Sequence, residues 1–292
     1  MNHNGKAVCI VSYPKSGNTW FRTFLANLIS GAAEAVDINQ LEIAPIITAR
    51  QALDQVLGYE SGELSHDQID LIRPELYEFL AKSSERYKYI KIHDGYMYNK
   101  AGRPLFPPEA TEAVIYIIRN PLDVCVSYAY HSGNSDLDAA IRAMANPNFA
   151  MAAGRQRQHG QLRQRLGSWS THVQGWTKAP GHRVHVIRYE DMLSNPANSF
   201  GMAATFLGLT FSSEVLERAI NFSEFRTLKK QEEAAGFRER VRADTPFFRK
   251  GKVGTYMDAL SAAQTSKIVA DHEIVMREFG YMTEIDAATN AQ

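Results

Sequence analysis

An α/β fold, a single domain with a central parallel sheet flanked by helices, is predicted by three features of the sequence. Short apolar runs rich in Val and Ile recur along the chain, segments of helical period separate them, and no repeat or low-complexity linker divides the 292 residues. Runs that are apolar throughout suit strands buried on both faces, as in a parallel sheet covered by helices.

The elements follow in order. The first strand is expected at residues 8–13, and the helix behind it carries Trp20, Phe21, Phe24, Leu25 and Leu28 on one face. Two helical segments are expected between residues 46 and 80, and further strands at 87–93, 113–118 and 183–188. Leu162, Leu166, Trp169, Val173 and Trp176 repeat at four-three-four-three spacing, which predicts a helix burying one stripe. Helices dominate to the end, the last carrying Ile268, Val275 and Phe279. Residues 131–164 are polar, rich in Asn, Arg and Gln, and weakly periodic, which predicts a surface excursion or lid. Residues 283–292 read as a frayed tail.

Lys and Arg together number 32, as do Asp and Glu, so the chain carries no formal net charge. That disfavours a general nucleic-acid or membrane-surface binder, and any anion site must be assembled locally. Cys9 and Cys125 lie in apolar runs and are expected as buried free thiols. The polar start and the absence of a membrane-length apolar run predict a cytoplasmic protein without a membrane span.

Four segments carry chemistry. The first, Tyr13-Pro14-Lys15-Ser16-Gly17-Asn18-Thr19-Trp20, links the first strand to the first helix. It offers backbone N–H groups, an ammonium and hydroxyls to a phosphate-like anion at a helix N-terminus. Lys15 precedes Gly17, whereas a Walker A loop needs lysine after its second glycine, so a Mg-dependent nucleotide kinase is the less favoured reading. In the second, Arg119 ends a strand, Asn120 is an N-cap, Pro121 suits the first helical position and Asp123 the acidic first turn. Ser127 lies two turns further on, and the planar fork of Arg119 suits phosphate. The third, Phe247-Phe248-Arg249-Lys250-Gly251-Lys252-Val253-Gly254, reads as a flexible basic loop. In the fourth, Lys91-Ile92-His93 ends the second strand, with Lys91 and His93 on one side at the sheet's carboxyl edge. Tyr189 in Arg188-Tyr189-Glu190-Asp191, and the run Ser223-Glu224-Phe225, are smaller matching elements.

In this order the segments resemble the cytosolic-type sulfotransferases that use 3′-phosphoadenosine-5′-phosphosulfate (PAPS), over roughly residues 7 to 264, with the domain set at 7–282. The resemblance implies a P-loop-like fold, PAPS as donor with adenosine 3′,5′-bisphosphate (PAP) as product, and no metal. It assigns Lys15 to the sulfate and bridging oxygen, Ser16, Gly17, Asn18 and Thr19 to the 5′-phosphate, and Trp20, Tyr189, Ser223 and Phe225 to adenine. Arg119 and Ser127 fall to the 3′-phosphate, together with the loop of Phe248, Arg249, Lys250 and Gly251. His93 becomes the general base, supported by Lys91 and Ser127, with Ser127 a partner for Lys15 in the cofactor complex before the acceptor binds. Departures from the pattern are Ile92 for Thr, Asp94-Gly95 for Leu-Pro, and Thr255-Tyr256 for Asp-Trp. The dimer signature is not matched at residues 257–266.

The acceptor, a small molecule or glycan presenting a hydroxyl or amine, is expected against residues 38–57, 94–106, 131–164 and 231–245. There Tyr96, Tyr98, Phe106 and Phe237 suit an apolar ring, and Arg155, Arg157, Arg163 and Arg165 an acidic or glycan group. His131 is read as a cation at a helix C-terminus. His159, His182 and His185 lack the neighbours of a metal site. A protein that binds PAPS or PAP without catalysis is the non-enzymatic alternative.

Overall fold

The structure, a computed structural model, describes residues 5–41, 43–83, 88–133, 135–154, 160–240 and 245–283. Its strands are β1 (Ala7–Ser12), β2 (Tyr89–Ile92), β3 (Thr111–Ile118), the two-residue β4 (Ala150–Met151) and β5 (Gln164–Arg165), and β6 (Val184–Arg188). Four of them form one parallel sheet in the order β2-β1-β3-β6, while β4 and β5 pair antiparallel apart from it. The helices are α1 (Asn18–Ser30), α2 (Arg50–Leu57), α3 (His66–Ser83), α4 (Pro121–His131), α5 (Leu137–Ala145) and α6 (Trp169–Thr177). They continue as α7 (Tyr189–Ser194), α8 (Pro196–Phe206), α9 (Ser213–Phe222), α10 (Phe225–Ala235) and α11 (Ala262–Glu278).

Alternation along β1 builds the two cores. Ala7, Cys9 and Val11 enter the face covered by α3, α4, α6 and α11, while Val8 and Ile10 enter the face covered by α1 and α8. On the second face Phe24 stacks on Phe200 with ring centroids 4.2 Å apart. Cys9 and Cys125 are buried free thiols. Because β2 and β3 flank β1 on opposite sides, the chain switches direction at the carboxyl end of β1, where open α/β sheets present their crevice.

Two expectations are corrected. The stripe from Leu162 to Trp176 is fully buried, yet α6 starts only at Trp169, where the Ser168 side chain accepts from the Thr171 N–H. Leu162 and Leu166 flank the extended β5, and Gly167 adopts φ 70°, which halts helix propagation toward the N-terminus. Burial of one side was read correctly, but an extended strand can supply it too. Within residues 131–164, α5 is capped by Asp136 and sends Ala140, Ile141 and Met144 into the core, so this part is a packed element.

Candidate functional site

At the carboxyl end of β1 the loop turns sharply: Lys15 has φ 71° and Gly17 φ 101°. A Cβ on Gly17 would lie 2.7 Å from the Tyr189 ring, so the approach of loop and ring requires glycine. Asn18 opens α1 and donates to the Ile10 carbonyl at 3.1 Å and to Ser12 Oγ at 3.3 Å, stitching the loop back onto its strand. Ser16 Oγ, Asn18 Oδ1, Trp20 Nε1, Arg22 Nε and Arg119 Nε are all buried without a partner among the described residues. Buried orphan polar atoms are costly, and their concentration here fits a site built for a polar ligand.

The second cradle grows from the end of β3. Arg119 donates to the Lys15 carbonyl and to the Lys252 carbonyl, both at 3.1 Å, so one guanidinium joins the loop after β1 to the basic loop. It also lies over Tyr189, 4.1 Å from the ring centroid. Asn120 caps α4 as expected, accepting from the Leu122 N–H. Asp123 does more than face a helix dipole. Fully buried, it accepts from Gly254 N–H at 2.8 Å, Thr255 Oγ1 at 2.9 Å and Tyr256 N–H at 3.1 Å, clamping the end of the basic loop. The Thr255-Tyr256 pair is thus anchored by a threonine hydroxyl and a backbone N–H. Gly251, at φ 60°, faces Phe225 so closely that a Cβ would lie 2.3 Å from the ring. Arg249 lies over Tyr130 at 4.1 Å, and Lys250 is exposed.

Lys15, Gly17, Asn18, Trp20, Arg119, Tyr189, Phe225 and the loop from Arg249 to Lys252 line one cavity of about 1270 Å³, together with Thr19, Ser127, Phe248, Lys91 and His93. Two residues expected at the site do not line it. Ser16 lies behind the loop, and Ser223 is buried with its hydroxyl donating to the Ala219 and Ile220 carbonyls, which fixes the junction of α9 and α10 beside Phe225.

At the end of β2, the His93 ring places Nδ1 2.8 Å from the Ser12 carbonyl. A carbonyl only accepts, so Nδ1 carries the hydrogen and Nε2 keeps its lone pair. The His93 carbonyl in turn accepts from His172 Nε2 at 3.0 Å, and Tyr116 donates to His172 Nδ1 at 2.8 Å. Burial, then the Lys91 ammonium, hold His93 well below its ordinary pKa. Lys15 Nζ lies 3.9 Å from the Phe247 ring centroid and 3.5 Å from His131 Nδ1, its hydrogen-bond partner among the described residues. Burial, followed by Lys91 and Arg119, brings Lys15 down to about 7. His131 does sit in the last turn of α4, but burial and Lys15 push its pKa down to about 3, so it is neutral rather than the expected cation. Lys91 Nζ pairs with Glu239 at 2.7 Å, as does Arg22. Sequence reading missed Arg22 and Glu239, which are 217 residues apart and carry no motif.

Beyond His93 the wall is formed by Pro45, Ile46, Thr48 and Ala49, by Met151 and Gln161, and by Phe237. Main-chain bridges from Ile46 to Lys91 and from Ala49 to Gln161 hold it. Residues 94–106 take no part. Phe106 stacks on Tyr77 at 4.7 Å and Tyr96 packs on Trp176, because the Asp94-Gly95 departure turns this segment inward: Asp94 is fully buried and paired twice with Arg73. Arg163 is paired with Asp67 and Asp70, and neither Arg163 nor Arg165 lines the cavity. Arg155, Arg157 and His159 lie outside the described residues. Among the described residues no helix is long and apolar enough to cross a membrane, and no group of three His, Cys, Asp or Glu could hold a metal ion.

Comparison with known proteins matches residues 6–280 to the sulfotransferase domain family. Mouse sulfotransferase 1B1 is 26% identical, covering 96% of this chain and 87% of its own length. The flavonol 3-sulfotransferase of Flaveria bidentis is 25% identical, over 89% of this chain and 78% of its own. Among solved structures, mouse sulfotransferase SULT7A1 complexed with PAP superposes with a TM-score of 0.61 at 19% identity, over 99% of this chain and 90% of that one. Retinol dehydratase in complex with androsterone and PAP gives 0.59 at 17% identity, over 93% and 81%. With its domain matched from end to end and its fold shared, this chain belongs to the PAPS-dependent sulfotransferase family.

Proposed function

We propose that the protein moves the sulfuryl group of PAPS to a hydroxyl or amine of a small-molecule or glycan acceptor, with His93 as the general base. One observation carries the reading. A neutral imidazole, its Nδ1–H fixed on the Ser12 carbonyl, shares a cavity with Lys15 and with an arginine that ties two anion-binding loops together.

The residues fit the donor. Arg119, Arg249, Lys250 and the backbone around Gly251 would hold the 3′-phosphate, and Gly17, Asn18 and Thr19 the 5′-phosphate. Trp20, Tyr189 and Phe225 offer aromatic surface to the base between them. PAPS supplies an activated sulfuryl group whose departure leaves negative charge on the 5′-phosphate. Lys15 stabilises that charge, and the basic surroundings serve the sulfuryl oxygens, so positioning and electrostatics supply most of the acceleration.

His93 removes the acceptor proton through Nε2. Its low pKa keeps it in the base form at neutral pH, and the negative donor raises its basicity on binding. The hydrogen bonds from Tyr116 through His172 to the His93 carbonyl fix the backbone that carries the ring. Small molecules are favoured as acceptors by the relatives, one a flavonol 3-sulfotransferase and another bound to androsterone, and by the apolar wall of Pro45, Ile46, Ala49 and Phe237. The reading puts the protein in the cytoplasm, with the intracellular nucleotide it uses. His93→Ala should abolish sulfuryl transfer to a panel of hydroxyl and amine acceptors while PAP affinity stays within about twofold. Retention of most of the activity would remove the base assignment.

A further inference from the structure

Glu239 brings a carboxylate into a cavity that, on the reading above, must receive an anion. It follows the turn at Gly236, which is held by Asn39: the Asn39 amide donates to the Gly236 carbonyl at 2.9 Å and its oxygen accepts from the Arg238 N–H at 2.8 Å. One carboxylate oxygen meets Arg22 and the other Lys91, each at 2.7 Å. Arg22 is 2% exposed on α1, a helix that otherwise feeds Phe21, Phe24 and Leu25 into the core. A buried guanidinium is expensive without a partner, and its Nε has none among the described residues. Lys91 sits two residues before the proposed base. Burial alone would raise the Glu239 carboxyl, but Lys91 and Arg22 outweigh it and hold the group well below its usual value. The carboxylate lines the same cavity as Lys15, His93 and His131, and its charge raises the pKa of all three.

Two oxygens of one anion bridging two buried cations is an arrangement that a sulfuryl group can adopt equally well. We infer that Arg22 and Lys91 form an anion seat, filled by the Glu239 carboxylate in the free protein and taken over by the sulfuryl oxygens when the donor binds. Arg22 is then a donor-binding residue outside the sequence motifs. Glu239 is a competing internal anion that sets how strongly the site favours sulfated over unsulfated nucleotide. The inference rests on the sulfotransferase reading, since it requires the donor to lie in this cavity.

The test compares PAPS, without acceptor, and PAP by titration calorimetry on the full chain. Neutralising the competitor with Glu239→Gln should tighten PAPS by about tenfold, equivalent to about 1.4 kcal/mol, and change PAP by less than about twofold. Arg22→Gln should weaken PAPS by a similar factor relative to PAP. Glu239→Asp retains the charge on a shorter arm and so serves as a second variant should the glutamine protein not fold; it should tighten PAPS relative to PAP by a smaller factor. A PAPS-to-PAP affinity ratio unchanged in these variants, or weaker PAPS binding by Glu239→Gln, would overturn the seat. If the unmodified protein binds neither nucleotide, the sulfotransferase reading itself fails, and that is visible before any variant is made.

Discussion

At pH 8 the binding of PAP should draw close to one proton onto Lys15, and affinity should fall as the pH rises further. In the free protein burial, Lys91 and Arg119 bring the Lys15 pKa down to about 7, against the pull of Glu239 and Glu232. Above pH 7 the side chain is therefore mostly the neutral amine. A bound polyanion favours the ammonium, so the pKa of the complex lies above that of the free protein. Affinity is then full below pH 7 and is lost between the free and the bound value. If the anion restores the ordinary lysine value of 10.5, linkage gives an uptake of about 0.9 proton at pH 8. Between pH 7 and pH 9 it gives an affinity loss of about 50-fold, or about 2.3 kcal/mol. Calorimetry in two buffers of different ionisation enthalpy measures the uptake directly. The nucleotide's own phosphates, with a second pKa of about 6, are nearly fully ionised at pH 8 and contribute little. Lys15→Met should remove both the uptake and most of the pH dependence. A dissociation constant equal at pH 7 and pH 9, with no uptake at pH 8, would show that Lys15 does not face the bound anion.

Gly251→Ala should weaken PAP binding by about tenfold to a hundredfold, since φ 60° and a contact of 2.3 Å with Phe225 combine backbone strain with overpacking; unchanged affinity would show that the loop does not close on Phe225. Asp123→Asn replaces an acceptor of three hydrogen bonds by an amide that turns a donor toward N–H groups. It should cost about 3 kcal/mol in denaturant unfolding and weaken PAP, and a loss under about 0.5 kcal/mol would refute the clamp.

Much of this was legible from local chemistry. β1 and β3 were read from apolar runs because both of their faces are buried, and the start of α4 from Asn120-Pro121, because capping is decided within a few residues. The two loops that line the cavity were legible for the same reason: each is a short segment with its own donors. What escaped depends on distant partners. Asp123 was read as a dipole residue, yet its partners lie 131 to 133 residues away. The pairing of Arg22 with Glu239 and the inward turn of Asp94 onto Arg73 leave no local pattern. Residues 94–106 were expected at the acceptor, where their aromatics would suit an apolar ring, but aromatic content does not distinguish a pocket wall from a core, and Phe106 went to Tyr77.

The central claim is that two separate cradles, joined by Arg119, grip both ends of one doubly phosphorylated adenosine. Its most direct test is calorimetric comparison of PAP with AMP, which lacks the 3′-phosphate, on the unmodified protein and on Arg119→Met. Two charge-assisted hydrogen bonds predict that PAP binds at least about 100-fold more tightly than AMP, with the gap largely closed in the variant. Equal affinity for PAP and AMP on the unmodified protein would contradict the account.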